Sequence, residues 1–305
     1  VRVSVTLSLF AVFAKIVLGD DTALAIPSAE GPKDSIQSLT SHSWELPTRT
    51  VHGNAGQLRE NRRIGSYSQP LWSARRLFSE VRTYVIPEGQ FEFEYWLFLA
   101  TPSRKAADSD PEPKNEVKQV YEAEMGLGHH LQFDLYQVYV KDGSDGKNVM
   151  DATKFEMRYA FADWGVLWGN PTAYAEWEQA AEGDDAFEGK LLLCGELTAR
   201  TRWASNLVWE EKTGGTRERN LEFNNALSFV VRDEKLSLGI ELAAADVSEL
   251  KAPGGESRDH TLEFSVGPSL RFYPVPHAHV ILSEFLGLNE TTGESKSVGI
   301  IGWEF

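Results

Sequence analysis

The sequence predicts an all-β protein, an antiparallel transmembrane β-barrel of about twelve strands. Three observations carry this expectation. Apolar and polar residues alternate with period two from "GQFEFEYWLFLA" (residues 89–100) to the end of the chain. The alternating runs last about 9 to 13 residues, near the length that crosses a bilayer with tilt and about twice that of an ordinary soluble strand. Tight turns also alternate with long polar loops, as they do when turns gather at one end of a barrel and loops at the other.

The runs follow in order. In the first, Phe91, Phe93, Tyr95, Leu97 and Leu99 alternate against Glu92 and Glu94. "YEAEMGLGHHLQFDLYQVYV" supplies two strands about a "GLGHH" turn, with His129 and His130 as turn residues. In "TKFEMRYAF", Phe155, Met157, Tyr159 and Phe161 alternate against Glu156 and Arg158. "AYAEWEQ", "KLLLCGELTA", "WASNLVWEE", "LEFNNALSFVV", "KLSLGIELAA", "HTLEFSVGPSLRFY", "HAHVILSEFL" and "SVGIIGWEF" complete the set. The tight turns are "GLGHH", "VRDEK" and "YPVPH"; the loops include "TPSRKAADSDPEPKNE", "KDGSDGKN" and "SELKAPGGESRD". Aromatic residues placed near strand ends, Tyr159 and Phe161, Trp203 and Trp209, Phe272 and Tyr273, suit interfacial girdles. The alternative from the same pattern is a soluble periplasmic β-sandwich that binds a carbohydrate or a protein.

Ahead of the strands, residues 1–25 have the layout of an export signal: Arg2, an apolar run from Val3 to Ala14, and the Ala23-Leu24-Ala25 pattern. Residues 26–80 show Gly, Pro, Ser and charge without a sustained period, and are expected to form a flexible periplasmic leader, leaving 81–305 for the barrel. The net charge of -15 argues against a nucleic-acid partner, which would need a basic patch. The single cysteine, Cys194, excludes an internal disulfide and a cysteine-based zinc site.

The closing residues "GIIGWEF" resemble the C-terminal signal of Gram-negative outer-membrane β-barrel proteins, in which alternating apolar and aromatic residues end on a terminal Phe. Ile301, Trp303 and Phe305 match that pattern, and "YVIPEGQFEFEYW" resembles the first-strand region of a poorly characterised group of such barrels. The resemblance implies residence in the bacterial outer membrane, with outer-membrane lipid and the barrel-assembly machinery as partners. It implies no particular activity.

With the apolar parity facing lipid, the opposite parity lines the lumen with Glu92, Glu94, Glu122, Glu124, Glu156, Glu176, Glu178, Glu222, Glu241, Glu263 and Glu304, joined by Lys154, Arg158, Arg202 and Arg271. Two readings follow: a small channel that prefers cations, or a filled interior in which acids pair with bases and the barrel serves a structural or surface-binding role. No catalytic residue is expected. The His-x-Ser-Asn-Gly motif of outer-membrane phospholipases is absent, and His277 and His279, spaced to share a strand face, have Ser283 too far along the strand to act with them. A third metal ligand cannot be placed, so no metal is expected, and no glycine-rich phosphate loop calls for a cofactor. Asn289-Glu290-Thr291 matches a glycosylation sequon, and Cys194 falls mid-strand as a small packing residue.

Overall fold

In the computed structural model the described residues are 58–109, 114–142, 146–251 and 255–305; the expected export signal, and the leader as far as residue 57, lie outside them. Two two-residue strands, β1 (Arg63–Ile64) and β2 (Gln69–Pro70), form a small ribbon near the start of this part. Twelve strands follow: β3 (Phe91–Ala100), β4 (Glu116–Gly128), β5 (Leu131–Asp142), β6 (Val149–Ala160), β7 (Thr172–Ala180), β8 (Ala186–Glu196), β9 (Thr201–Lys212), β10 (Arg219–Arg232), β11 (Leu236–Leu250), β12 (Arg258–Val275), β13 (Ala278–Gly287) and β14 (Ser295–Glu304). Each pairs antiparallel with its sequence neighbours, and β14 pairs with β3 to close a barrel. A single closed sheet is the architecture, so the sandwich alternative, which needs two facing sheets, does not form.

Closure gives every strand two partners and removes the free edge that an open sheet would expose. At the seam Trp303 lies opposite Phe93 and Glu304 opposite Glu92, and the Phe305 N–H donates to the Phe91 carbonyl at 2.8 Å. Because the strand count is even, β3 begins and β14 stops at the same end of the barrel, which also holds the turns His129–His130 and Pro276–His277. His129 and His130 both adopt positive φ, 50° and 64°, as a two-residue hairpin of the type that matches strand twist demands.

The pleat sorts the residues as the alternation predicts. Every one of the twelve strands presents large apolar side chains outward, from Phe93 on β3 through Phe155, Trp177, Phe223 and Leu238 to Ile301 on β14, each 42% exposed or more. In water this would be an apolar surface far larger than the few hundred Å² a soluble protein carries. A bilayer covers it at no cost, and the inside-out pattern of charge within and hydrocarbon without is that of a membrane-embedded barrel. Tyr273 departs from the expected girdle: it is buried on the inward parity, 4.7 Å from the Arg75 guanidinium and 4.9 Å from that of Arg271. Its neighbour Phe272 takes the outward parity, so only one of two adjacent residues can face lipid.

The larger difference concerns residues 58–90. The reading of a flexible leader as far as residue 80 does not describe residues 58–80: Tyr67 and most of 69–80 pack inside the barrel together with 81–87, while Arg59, Arg62, Arg63, Gly65 and Ser66 stay exposed. Tyr67, Trp72, Leu77, Phe78, Val81, Tyr84 and Val85 form an apolar cluster with Ala160 of β6, Cys194 of β8, Ala204 of β9 and Ala226 of β10. Small residues at these inward positions leave the volume that Trp72, Phe78 and Tyr84 occupy. The segment has no helical or strand period because its contacts are made to the whole circumference rather than to one face.

Candidate functional site

The inward face near the end where β3 begins carries an acidic belt set by strand register. Glu304 lies opposite Glu92, Glu92 opposite Glu124 and Glu94 opposite Glu122; then Glu124 faces Asp134, Asp134 faces Glu156 and Glu156 faces Glu176. Six adjacent strands, from β14 round to β7, thus place carboxylates side by side. Like charges directly opposite repel, and burial strengthens the repulsion, so the belt requires cations.

The inner segment supplies three. Arg76 donates to Glu94 at 2.6 Å and to Glu122 at 3.1 Å. Arg82 donates to Glu122, to Glu124 at 3.1 Å and to the Tyr136 hydroxyl at 2.9 Å. Arg75 lies 3.0 Å from Glu304. The barrel supplies the rest: Arg158 bonds Glu156 and lies 2.9 Å from Asp134, Lys154 lies 2.9 Å from Glu176 and 2.6 Å from Glu178, and the buried His279 ring sits 3.2 Å from Glu92 and 3.0 Å from Glu94. Glu92, Glu94 and His279 lie close enough to share an ion, so a third ligand beside His279 does exist where the sequence placed none, and Glu94, Glu122 and Glu124 lie as close to one another. Arg76 and Arg82 neutralise Glu94, Glu122 and Glu124.

On the other side of the lumen the polarity of the pairing reverses. Arg202 and Arg271 of the barrel hold Glu60 of the inner segment at 3.1 and 2.8 Å. Burial alone would push the Glu60 carboxyl up, but Arg271 and Arg202 outweigh it and hold the group below the usual carboxylate range. Glu241 accepts the backbone N–H groups of Ser79 and Glu80, both at 3.0 Å. Trp72 donates to Glu196 at 2.9 Å, and the Ile86 N–H donates to Gln132 at 2.7 Å. The segment is therefore fixed by strands on all sides.

No protein-family model and no curated protein matches the sequence. Among solved structures, the chain is similar to an outer membrane channel from Pseudomonas putida F1, at 11% identity over 75% of this chain and 100% of the other, with a TM-score of 0.49. It is similar to the NanC porin at 6% identity over 69% and 98% of the two chains, TM-score 0.49. The translocator domain of the autotransporter NalP from Neisseria meningitidis follows at 9% identity over 71% and 88%, TM-score 0.40. Nothing about solute or activity passes from them to this chain.

All the acidic positions expected in the lumen take the inward parity. Glu92, Glu94, Glu122, Glu124, Glu156, Glu176 and Glu304 form the belt with Arg158. Glu241 and Arg271 meet the inner segment instead, while Glu178 pairs with Lys154. Glu222 and Glu263 stand apart, lining a cavity of about 240 Å³ with Lys296. Ile301 and Trp303 face outward, and the Phe305 ring lies 5.5 Å from that of Phe91. His277 and His279 do not share a face, because the strand begins at Ala278 and leaves His277 in the turn. Arg75, Arg76, Arg82 and Glu60 are absent from the sequence-based site. The signal that could have found them is numerical: the belt has more carboxylates than the inward-facing barrel bases can match.

Proposed function

We propose that this chain is an outer-membrane β-barrel held closed by its own residues 58–90, a plugged barrel with a structural or surface-binding role rather than an open pore. The carrying observation is the pair Arg76 and Arg82, buried across Glu94, Glu122 and Glu124. Removing either partner would strand buried charge, at about 3–5 kcal/mol for a pair of this kind. Spontaneous withdrawal of the segment would break several such pairs together and expose Trp72, Phe78 and Tyr84.

The test is conductance of the full chain in a planar bilayer. The plugged reading expects little current. Large, steady, cation-selective currents from the unmodified protein would overturn it and favour a small channel lined by the acidic belt, since unpaired carboxylates attract cations. Deleting residues 58–86 should open the lumen, and the current should then prefer cations because Glu94, Glu122 and Glu124 lose their arginines.

A further inference from the structure

Beyond the layer of Arg76 and Arg82, on the side away from the chain-terminal end of the barrel, lies a cavity of about 120 Å³. Register builds one wall of it in two rows. Trp96, Val120 and Val138 stand side by side on β3, β4 and β5, and Phe98, Lys118 and Val140 stand beside one another one step further from the belt. Val120 and Val138 are buried; Trp96, Phe98 and Val140 pack against them. The floor is the inner segment, with the Arg76 guanidinium stacked 4.0 Å over the Trp96 ring. The rest of the lining is charged but paired: Glu176 with Lys154, Glu188 with Lys190, and Glu80 with Lys296.

Lys118 is the unusual member. Lys154, Lys190 and Lys296 in the same part of the lumen each have a carboxylate partner. Lys118 has no ion pair among the described residues; its ammonium lies 5.7 Å from the centroid of the Phe98 ring. A half-buried ammonium at the rim of an apolar wall loses hydration without gaining an opposite charge, whereas an anion placed there would restore the balance. Lys118, Trp96 and Phe98 all retain some solvent exposure, so a small molecule can reach them.

We propose that this cavity binds a small organic carboxylate with a compact apolar body, the carboxylate on Lys118 and the body against Phe98, Val120 and Val138. The cavity is a little smaller than the dry one of about 150 Å³ that holds benzene, but it opens into the lumen, so a single ring can lie on the wall without being enclosed. Neither half of the ligand suffices, since acetate offers no surface to the wall and an uncharged ring offers nothing to the lysine.

The site rests on the closed barrel proposed above, because Arg76 and Arg82 are its floor. Titration calorimetry on the purified full chain, with benzoate, benzyl alcohol and acetate as probes, tests it. Benzoate should bind saturably and more tightly than either of the others. Lys118→Met, which keeps side-chain length, should weaken benzoate by about tenfold or more, the loss of one charge-assisted hydrogen bond, and leave benzyl alcohol unchanged. Lys251→Met, in an exposed loop, should change neither. The heat-dependent gel shift of a folded barrel confirms that each variant is intact. No saturable benzoate binding, equal affinity for benzoate and benzyl alcohol, or benzoate binding indifferent to Lys118→Met would overturn the site. A conducting wild type removes the closed-barrel reading; indifference to Lys118→Met in a non-conducting barrel removes this one alone.

Discussion

Arg76 and Glu94, 18 positions apart in sequence, meet at 2.6 Å inside the barrel, a residue of the inner segment on a residue of the first barrel strand. The same guanidinium reaches Glu122 on the next strand. One cation therefore bridges two carboxylates that register has placed opposite each other, and the acidic belt depends on a segment that belongs to no strand of the barrel.

The dependence can be measured by a double-mutant cycle. Arg76→Gln should lower stability by about 3–5 kcal/mol, because Glu94 and Glu122 are left buried and facing each other. Adding Glu94→Gln should recover part of the loss, giving a coupling energy on the order of 1–3 kcal/mol in denaturant unfolding of the refolded barrel. Strictly additive losses would mean that the pair does not act as a unit.

Acid should loosen the opposite side of the inner segment. The Glu60 carboxyl titrates below its ordinary range in the folded protein, held there by Arg271 and Arg202. A depressed folded value means that its contribution to stability is complete above the unfolded carboxylate range and lost as pH falls through the folded value. The protection of amides 58–62 against hydrogen exchange, relative to their intrinsic rates at each pH, should therefore fall in acid, and Glu60→Gln should show low protection already at neutral pH. The same exchange rate in both proteins at neutral pH would argue that the ion pairs do not hold this end.

Gly302 is a position where close approach excludes a side chain. A Cβ there would lie 2.1 Å from Cε1 of the His279 ring, which is wedged against Glu92 and Glu94. Gly302→Ala should cost about 1–3 kcal/mol, the usual penalty for overpacking. Gly299→Ala, three residues earlier and on the outward parity of the same strand, where the nearest atom is Leu282 Cδ2 at 3.7 Å, should be much milder. Thermal shift of the two variants in one detergent gives the comparison.

The lipid face should punish charge. Arg at Phe223, outward and well inside its strand, should cost about 2–4 kcal/mol, and Arg at Phe93 or Leu238, outward but the third residue of each strand, should cost less yet still destabilise. Glu256→Arg, in an exposed loop, should stay within about 0.5 kcal/mol of wild type. Equal effects at all four sites in lipid vesicles would contradict the membrane assignment of this face.

The proposed assembly signal of Ile301, Trp303 and Phe305 is tested by yield rather than by stability. Phe305→Asp should reduce the folded amount recovered from outer membranes, while an exposed loop change such as Glu256→Arg should not. Unchanged recovery of Phe305→Asp would remove the signal reading and leave Phe305 its contact with Phe91 alone.

The sequence by itself determined the strands and their faces, because a pleated strand repeats every two residues and reports its environment locally. Phe93 outward and Glu94 inward can be read from "FEFEY" alone. Apart from Asp134, the acidic belt was legible as a set of inward residues. What only the tertiary structure decided is which cations meet it. Strand pairing brought Glu94 and Glu122 face to face, and barrel closure brought Glu304 beside Glu92. Arg75 and Arg76 sit in an aperiodic stretch whose composition reads as linker, Arg82 lies just past it ahead of the first alternating run, and their partners lie on strands that follow in sequence and become neighbours only when the sheet closes. A segment that fits a cavity touches all its walls, so no repeat in its own residues records the shape it fills.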